Sequence, residues 1–234
     1  FDFGVLYQYH INDRVISSVG LNYTPQRSIK TYNDIFSYNY AYSNGEEVIF
    51  DTVIYQDTVS GSITYPQRIN GGISFVFKGN PKKPSISRTT VNLDMVFQEW
   101  SKYEETFENA KPYTNSMRNS MSYRLGVEFI PNDGSKYDAN ASYFELISYR
   151  AGLRYENTRL TLNNTDINNF GISFGLGLPM RIGGAVSSIN LGAEWGQRGT
   201  TRNGLIKEDY WKVYVGLSLS PGRYDRWFIK RKYD

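Results

Sequence analysis

Apolar residues recur at every second position through most of the chain. The three clearest runs lie toward its C-terminal end. Phe170, Ile172, Phe174, Leu176 and Leu178 alternate with Gly171, Ser173, Gly175 and Gly177. Ile189, Leu191, Ala193 and Trp195 alternate with Asn190, Gly192 and Glu194, and Trp211, Val213, Val215, Leu217 and Leu219 with Lys212, Tyr214, Gly216 and Ser218. Successive side chains of a strand point to opposite faces, so each run is a strand with one apolar and one wet face. The same rhythm predicts six further strands, at roughly 1–11, 15–43, 48–78, 91–103, 121–129 and 147–162. Runs of this kind approach the ~9–11 residues with which a tilted strand crosses a bilayer. The expected fold is all-β, a transmembrane antiparallel β-barrel with nine strands visible.

The reversals between strands differ in character. Those near 12–14, 79–84, 131–140 and 181–187 begin and end at the apolar bands. Those near 44, 108, 163 and 202 lie beyond polar, tyrosine-rich extensions or in polar loops. Outer-membrane barrels keep short turns in the periplasm and long loops outside, so the first and last strands both descend and the C-terminus is expected in the periplasm. A single-chain barrel has an even strand count, so an odd number of strands is expected upstream. Residues 1–220 are then barrel wall. Residues 221–234 form a basic, aromatic periplasmic tail, suited to the membrane interface, the barrel mouth or a partner protein.

Composition changes this picture little. Mean hydropathy is -0.50, as expected where an alternating wall averages out, and no apolar run is long enough for a transmembrane helix. The 20 tyrosines suit the aromatic girdles of a barrel. A soluble β-sandwich would also alternate, but its outer face should be rich in Lys, Glu and Thr rather than Gly, Ser and Asn. The net charge of +3 is scattered, which excludes a nucleic-acid stripe. The absence of cysteine removes disulfides, thiolate metal sites and a cysteine nucleophile.

Projection of the wet face collects Arg118, Arg124, Glu128, Arg150, Arg154, Glu156, Glu194, Arg198 and Lys212. Charges removed from bulk water need partners. Arg124 or Glu128 is therefore expected to meet Arg150 and Arg154, and Glu194 to meet Arg198 and Lys212. Such a set is either a structural network lining a lumen or a gating and carboxylate-binding cluster, since arginine holds a carboxylate bidentately. Pro25 and Pro66 interrupt strand patterns and mark strand kinks, at a wall opening or at the transition from membrane to loop. His10, the single histidine, falls on the inward face and makes no metal site alone. No enzyme, metal or cofactor is expected. The glycines of 171–177 lack the helix and lysine of a phosphate loop and read as interior packing.

Several segments resemble the FadL-type outer-membrane transport proteins of Bacteroidota: YPQRINGGISFVF, INNFGISFGLGLPM, SSINLGAEWGQRGTT, NGLIKEDYWKVYVGLSLS and the closing RWFIKRKYD. That resemblance implies a monomeric barrel of about fourteen strands, an even number as single-chain barrels have, plugged by an N-terminal hatch. The first strand here would be the family's sixth. It also implies passive uptake of hydrophobic small molecules such as fatty acids through a lateral opening. The chain departs from the pattern after Ser220, where it continues as PGRYDRWFIKRKYD. The expected surroundings are outer-membrane lipid and lipopolysaccharide, with a hydrophobic ligand and outer-membrane protein partners. The alternative function is a structural or accessory barrel subunit of a larger outer-membrane complex for secretion, assembly or nutrient uptake. The tyrosine-rich extensions at 28–60 and 98–115 suit contacts above the membrane.

Overall fold

The computed structural model describes residues 1–83, 85–108, 117–134, 141–182 and 185–219. Twelve antiparallel strands account for most of them, in two sheets. The larger sheet has nine: β1 (Phe3–Asn12), β2 (Val15–Thr24), β5 (Arg68–Lys78), β6 (Arg88–Gln98), β8 (Ser120–Ile130), β9 (Ser148–Leu162), β10 (Thr165–Ile182), β11 (Ala185–Gly199) and β12 (Lys207–Ser218). The smaller sheet holds β3 (Arg27–Ser43), β4 (Glu46–Tyr65) and β7 (Glu104–Phe107). In the larger sheet each strand pairs with the next in this order, and β1 and β12 are its two edges, so it is not closed.

The pairing register turns the alternation of single strands into faces of a whole sheet. Residues opposite one another share a face. One row across all nine strands runs Tyr7, Val19, Ile73, Leu93, Leu125, Leu153, Ile172, Trp195 and Trp211, without a polar interruption. The next row on the same face is Tyr9, Ser17, Phe75, Val91, Val127, Ala151, Phe174, Ala193 and Val213. Much of this face is uncovered: Leu93, Leu125, Leu153, Phe174, Trp211 and Val213 are all exposed. The buried hydrophobic residues, among those described, are only Ile130, Ile147 and Ile167. A soluble sandwich buries such a face under a second layer. Here the small sheet continues the ends of three strands of the large one instead.

Turn chemistry sets the two ends of the sheet. At one end Asn12 Oδ1 accepts from the backbone N–H of Arg14 and Val15, 2.9 Å each, and closes the β1–β2 hairpin. A single helical turn, α1 (Tyr143–Leu146), lies in the β8–β9 connection at this end. At the other end Asn44–Gly45 and Asn163–Asn164 all have positive φ, the geometry that two-residue hairpin loops require.

The expected 15–43, 48–78 and 91–103 strands are each two strands rather than one. The first breaks between Thr24 and Arg27, at Pro25, and the second between Tyr65 and Arg68, at the buried Pro66. The third breaks at a 3-10 turn over Trp100–Lys102. Proline donates nothing to a ladder, so pairing stops there, and β3, β4 and β7 resume it as a separate sheet. Of the loop expected at 108–116, residues 109–116 lie outside the described residues, as does the whole 221–234 tail.

Candidate functional site: a charged lattice on the polar face

The polar face is built from rows as regular as the apolar ones. One row reads Leu6, Gly20, Gly72, Asp94, Arg124, Arg154, Gly171, Gly196 and Tyr210. The next reads Gln8, Ser18, Ser74, Asn92, Gly126, Gly152, Ser173, Glu194 and Lys212. Long charged side chains on β9, β11 and β12 thus stand beside a β10 whose polar-face positions are Gly171, Ser173, Gly175 and Gly177.

Glycine on β10 lets its neighbours meet above it. Arg154 of β9 donates through Nη2 to Glu194 Oε1 of β11 at 2.7 Å, and through the same nitrogen to the Tyr210 hydroxyl of β12 at 2.7 Å. A Cβ on Gly171 would lie 3.2 Å from Glu194 Oε1 and 3.4 Å from Arg154 Nη2, so any side chain there would press on the bridge. The Tyr210 hydroxyl also donates to Asn169 Oδ1 at 3.1 Å. Gly196, opposite Tyr210, leaves room for its ring, since a Cβ would come within 2.4 Å of it. Lys212 Nζ stands 3.7 Å from Glu194 Oε1, and Glu156 Oε2 3.7 Å from Arg154 Nη1.

A second cluster lies nearer the short-turn end. Arg150 donates through Nε to Glu128 Oε2 at 2.7 Å and through Nη1 to Asn190 Oδ1 at 2.8 Å, again across β10. A Cβ on Gly177 would sit 3.3 Å from both Arg150 Nη2 and Asn190 Oδ1. Arg88 approaches the other Glu128 oxygen at 3.7 Å.

The expected set is therefore only partly brought together. Glu128 meets Arg150, and Glu194 meets Lys212, as anticipated. Arg154 joins Glu194 and Glu156 rather than Glu128. Arg198 makes no ion pair among the described residues; it lies across from Asn169 and Glu208. Arg124 likewise has no ion pair among them and sits between Asp94 and Arg154 in its row. Arg118 precedes β8 and forms a tie of its own: Nη1 to Asp166 Oδ2 at 2.6 Å, Nε to the Thr158 carbonyl at 2.7 Å, and Nη2 to Asn168 Oδ1 at 2.7 Å. Tyr210, Asn190 and Arg88 belong to the lattice and were not among the expected residues. Tyr210 shares the face of Lys212 two positions away, and that parity was the signal available for it. His10 is exposed on the polar face opposite Ile16.

Pro25 and Pro66 mark the junction of the two sheets, which polar groups lash together. The Tyr23 hydroxyl donates to Gln67 Oε1 at 2.9 Å, Gln67 Nε2 donates to Glu99 Oε2 at 2.6 Å, and Lys102 pairs with that oxygen at 2.7 Å. The Arg159 guanidinium lies 4.0 Å over the Trp100 ring, and Tyr65 and Trp100 both pack against Tyr103. The Tyr103 hydroxyl donates to the Glu105 carboxylate, which with partial burial pushes the phenol up to about 12.

Most of the charged groups here, Arg124 and Arg198 aside, are paired with one another, and no group of three or more His, Cys, Asp or Glu residues that could hold a metal ion occurs among the described residues. Comparison with curated proteins finds no match to the chain. A protein-family model, BamG, matches residues 1–234. This overturns the FadL-type resemblance, and with it the fatty-acid-type uptake channel that the resemblance implied. Of the segments behind that resemblance, INNFGISFGLGLPM has a local structural role: its glycines at 171 and 177 lie beneath the Arg154–Glu194 and Arg150–Asn190 contacts. Matched from its first residue to its last, the chain belongs to the BamG family.

Proposed function

We propose that the chain is a barrel-wall, accessory subunit of the outer-membrane protein assembly complex to which the BamG family points. The observation that carries this reading is the unbroken apolar row from Tyr7 to Trp211, which spans nine strands and is exposed at Tyr7, Val19, Leu93, Leu125, Leu153 and Trp211. Soluble monomers rarely leave so large a contiguous apolar surface in water, whereas a bilayer covers it without a second protein layer. The polar face favours a structural role over a conduit. Its charges are tied strand to strand, Arg154 to Glu194 and Arg150 to Asn190 across β10 and Arg150 to Glu128 beside it, which stiffens the wall. In the membrane, the end bearing Asn12–Val15 and α1 faces the periplasm, the small sheet stands outside, and the chain's end lies in the periplasm. Family membership supports outer-membrane location and outer-membrane protein partners.

The test is purification of the tagged, full-length protein from native outer membranes in mild detergent. Subunits of the assembly complex should be recovered in near-stoichiometric amounts. Migration of the protein alone, with the complex intact elsewhere in the gradient, would overturn the reading.

A further inference from the structure

Beyond the short stretch where β7 pairs with Gly61–Thr64 of β4, the β3–β4 hairpin runs on as a two-stranded ribbon to the turn at Asn44–Gly45. Among the described residues neither edge of that outer part pairs with a further strand. Two-stranded ribbons are marginal in water without a packed face. This one also carries an aromatic ladder that packs only against itself. Phe36, Tyr38, Tyr40 and Tyr42 follow one another on a single face, with ring centroids 5.1, 6.1 and 5.6 Å apart, and Tyr55 joins Phe36 edge-on. Phe36, Tyr40, Tyr42 and Tyr55 are exposed, and the bulges on β4 turn out Phe50 and Val53 as well.

The charge of this ribbon runs against that of the chain. Residues 31–67 contain Asp34, Glu46, Glu47, Asp51 and Asp57 and no lysine, arginine or histidine, although the whole protein carries a net +3. Glu47 accepts from the Tyr42 hydroxyl at 2.9 Å, and Asp34 from the Thr58 backbone N–H at 2.7 Å. Asp51 and Glu46 lie opposite Asn39 and Ser43, with no cation near them in the ribbon sequence.

We infer that this ribbon is a docking arm for a basic protein surface of a neighbouring subunit, an arginine- and lysine-bearing patch seated on the ladder. The inference rests on the reading of the chain as a subunit of an assembly. Charge complementarity selects the occupant. Arginine and lysine stack on tyrosine faces and pair with the carboxylates at the tip, and both contacts strengthen as water leaves. The carboxylates of Asp34, Glu46, Glu47 and Asp51 repel the phosphates of an anionic lipid headgroup. Interfaces of this kind place aromatic anchors at the centre and charges at the rim.

The experiment uses the full-length protein in native outer membranes, with a photo-crosslinking residue at Tyr40. Crosslinks should map to an assembly-complex subunit at positions flanked by Lys or Arg. The triple reversal Glu46→Lys, Glu47→Lys, Asp51→Lys should lower crosslink yield at least tenfold. The neutral triple Glu46→Gln, Glu47→Gln, Asp51→Asn should lower it less, and salt should weaken the wild-type contact. Heat-modifiable migration on gels verifies that each variant still folds. If the variants are folded and the complex is recovered with crosslinks unchanged, the docking arm is overturned while the subunit reading stands. If crosslinks land on lipopolysaccharide, the basic-protein occupant is overturned. If the wild-type protein recovers no complex at all, both readings fall.

Discussion

Arg154 Nη2 lies 2.7 Å from Glu194 Oε1 although β10 runs between their two strands. The bridge passes above Gly171, which stands opposite Arg154 in the β9–β10 register. A run of alternate glycines thus has a specific task here: it removes the side chains that would hold apart the charges of the flanking strands.

Gly171→Leu tests that task. The added side chain must displace Arg154, Glu194 or both, and overpacking of this kind costs about 1–3 kcal/mol. The folded form of the protein should convert to the unfolded form at a lower temperature in heat-modifiability gels. Gly126, where an added Cβ meets nothing within 4 Å, should tolerate Ala with little change.

The pair itself can be separated from its surroundings by a double-mutant cycle. Glu194→Leu leaves Arg154 with its main anion gone, at a cost of about 1–3 kcal/mol for a charge-assisted bond of this exposure. Arg154→Met together with Glu194→Leu should recover part of that loss, because no unpaired charge remains. Additive urea-unfolding effects of the two single variants would show that the bridge does not couple them.

Leu125 stands near the middle of the uninterrupted apolar row. If that face meets lipid, Leu125→Arg places a charge in the hydrocarbon and destabilises the folded protein by about 2–4 kcal/mol in liposome refolding. Ser74→Arg, on the polar face, should cost far less. Equal effects of the two would mean that the faces are not lipid-facing and lumen-facing.

The junction of the two sheets has its own titration. The Tyr103 phenol is pushed up to about 12 because it donates to Glu105, so this contact is fully present below the ordinary tyrosine pKa of about 10 and is lost as pH rises through 12. The 295 nm phenolate signal missing from Tyr103→Phe should therefore titrate near 12. A midpoint near 10 would show that the bond to Glu105 is not formed.

The faces of the sheet were legible because parity along a strand is a local property. Phe170, Ile172 and Phe174 declare their side without reference to any neighbour. The partners of the charges were not, because they depend on register across several strands. Glu194 and Arg198 share a strand and a face, yet Glu194 turns to Arg154, two strands away, because Gly171 leaves the path open. Pro25 and Pro66 announced the breaks, but that three broken ends would pair into a second sheet depended on β7, a four-residue strand too short to carry a pattern. The family was misread for a related reason. Gly-Ile-Ser-Phe-Gly-Leu wording reflects the geometry of a bridged sheet and is not the signature of one lineage.

The central claim is a structural role in outer-membrane protein assembly, and depletion tests it most directly. When the protein is depleted in its own cells, quantitative proteomics of the outer membrane should show a broad fall in many unrelated β-barrel proteins before growth stops. An unchanged outer-membrane proteome, accompanied by a selective loss of uptake of one class of compound, would contradict it.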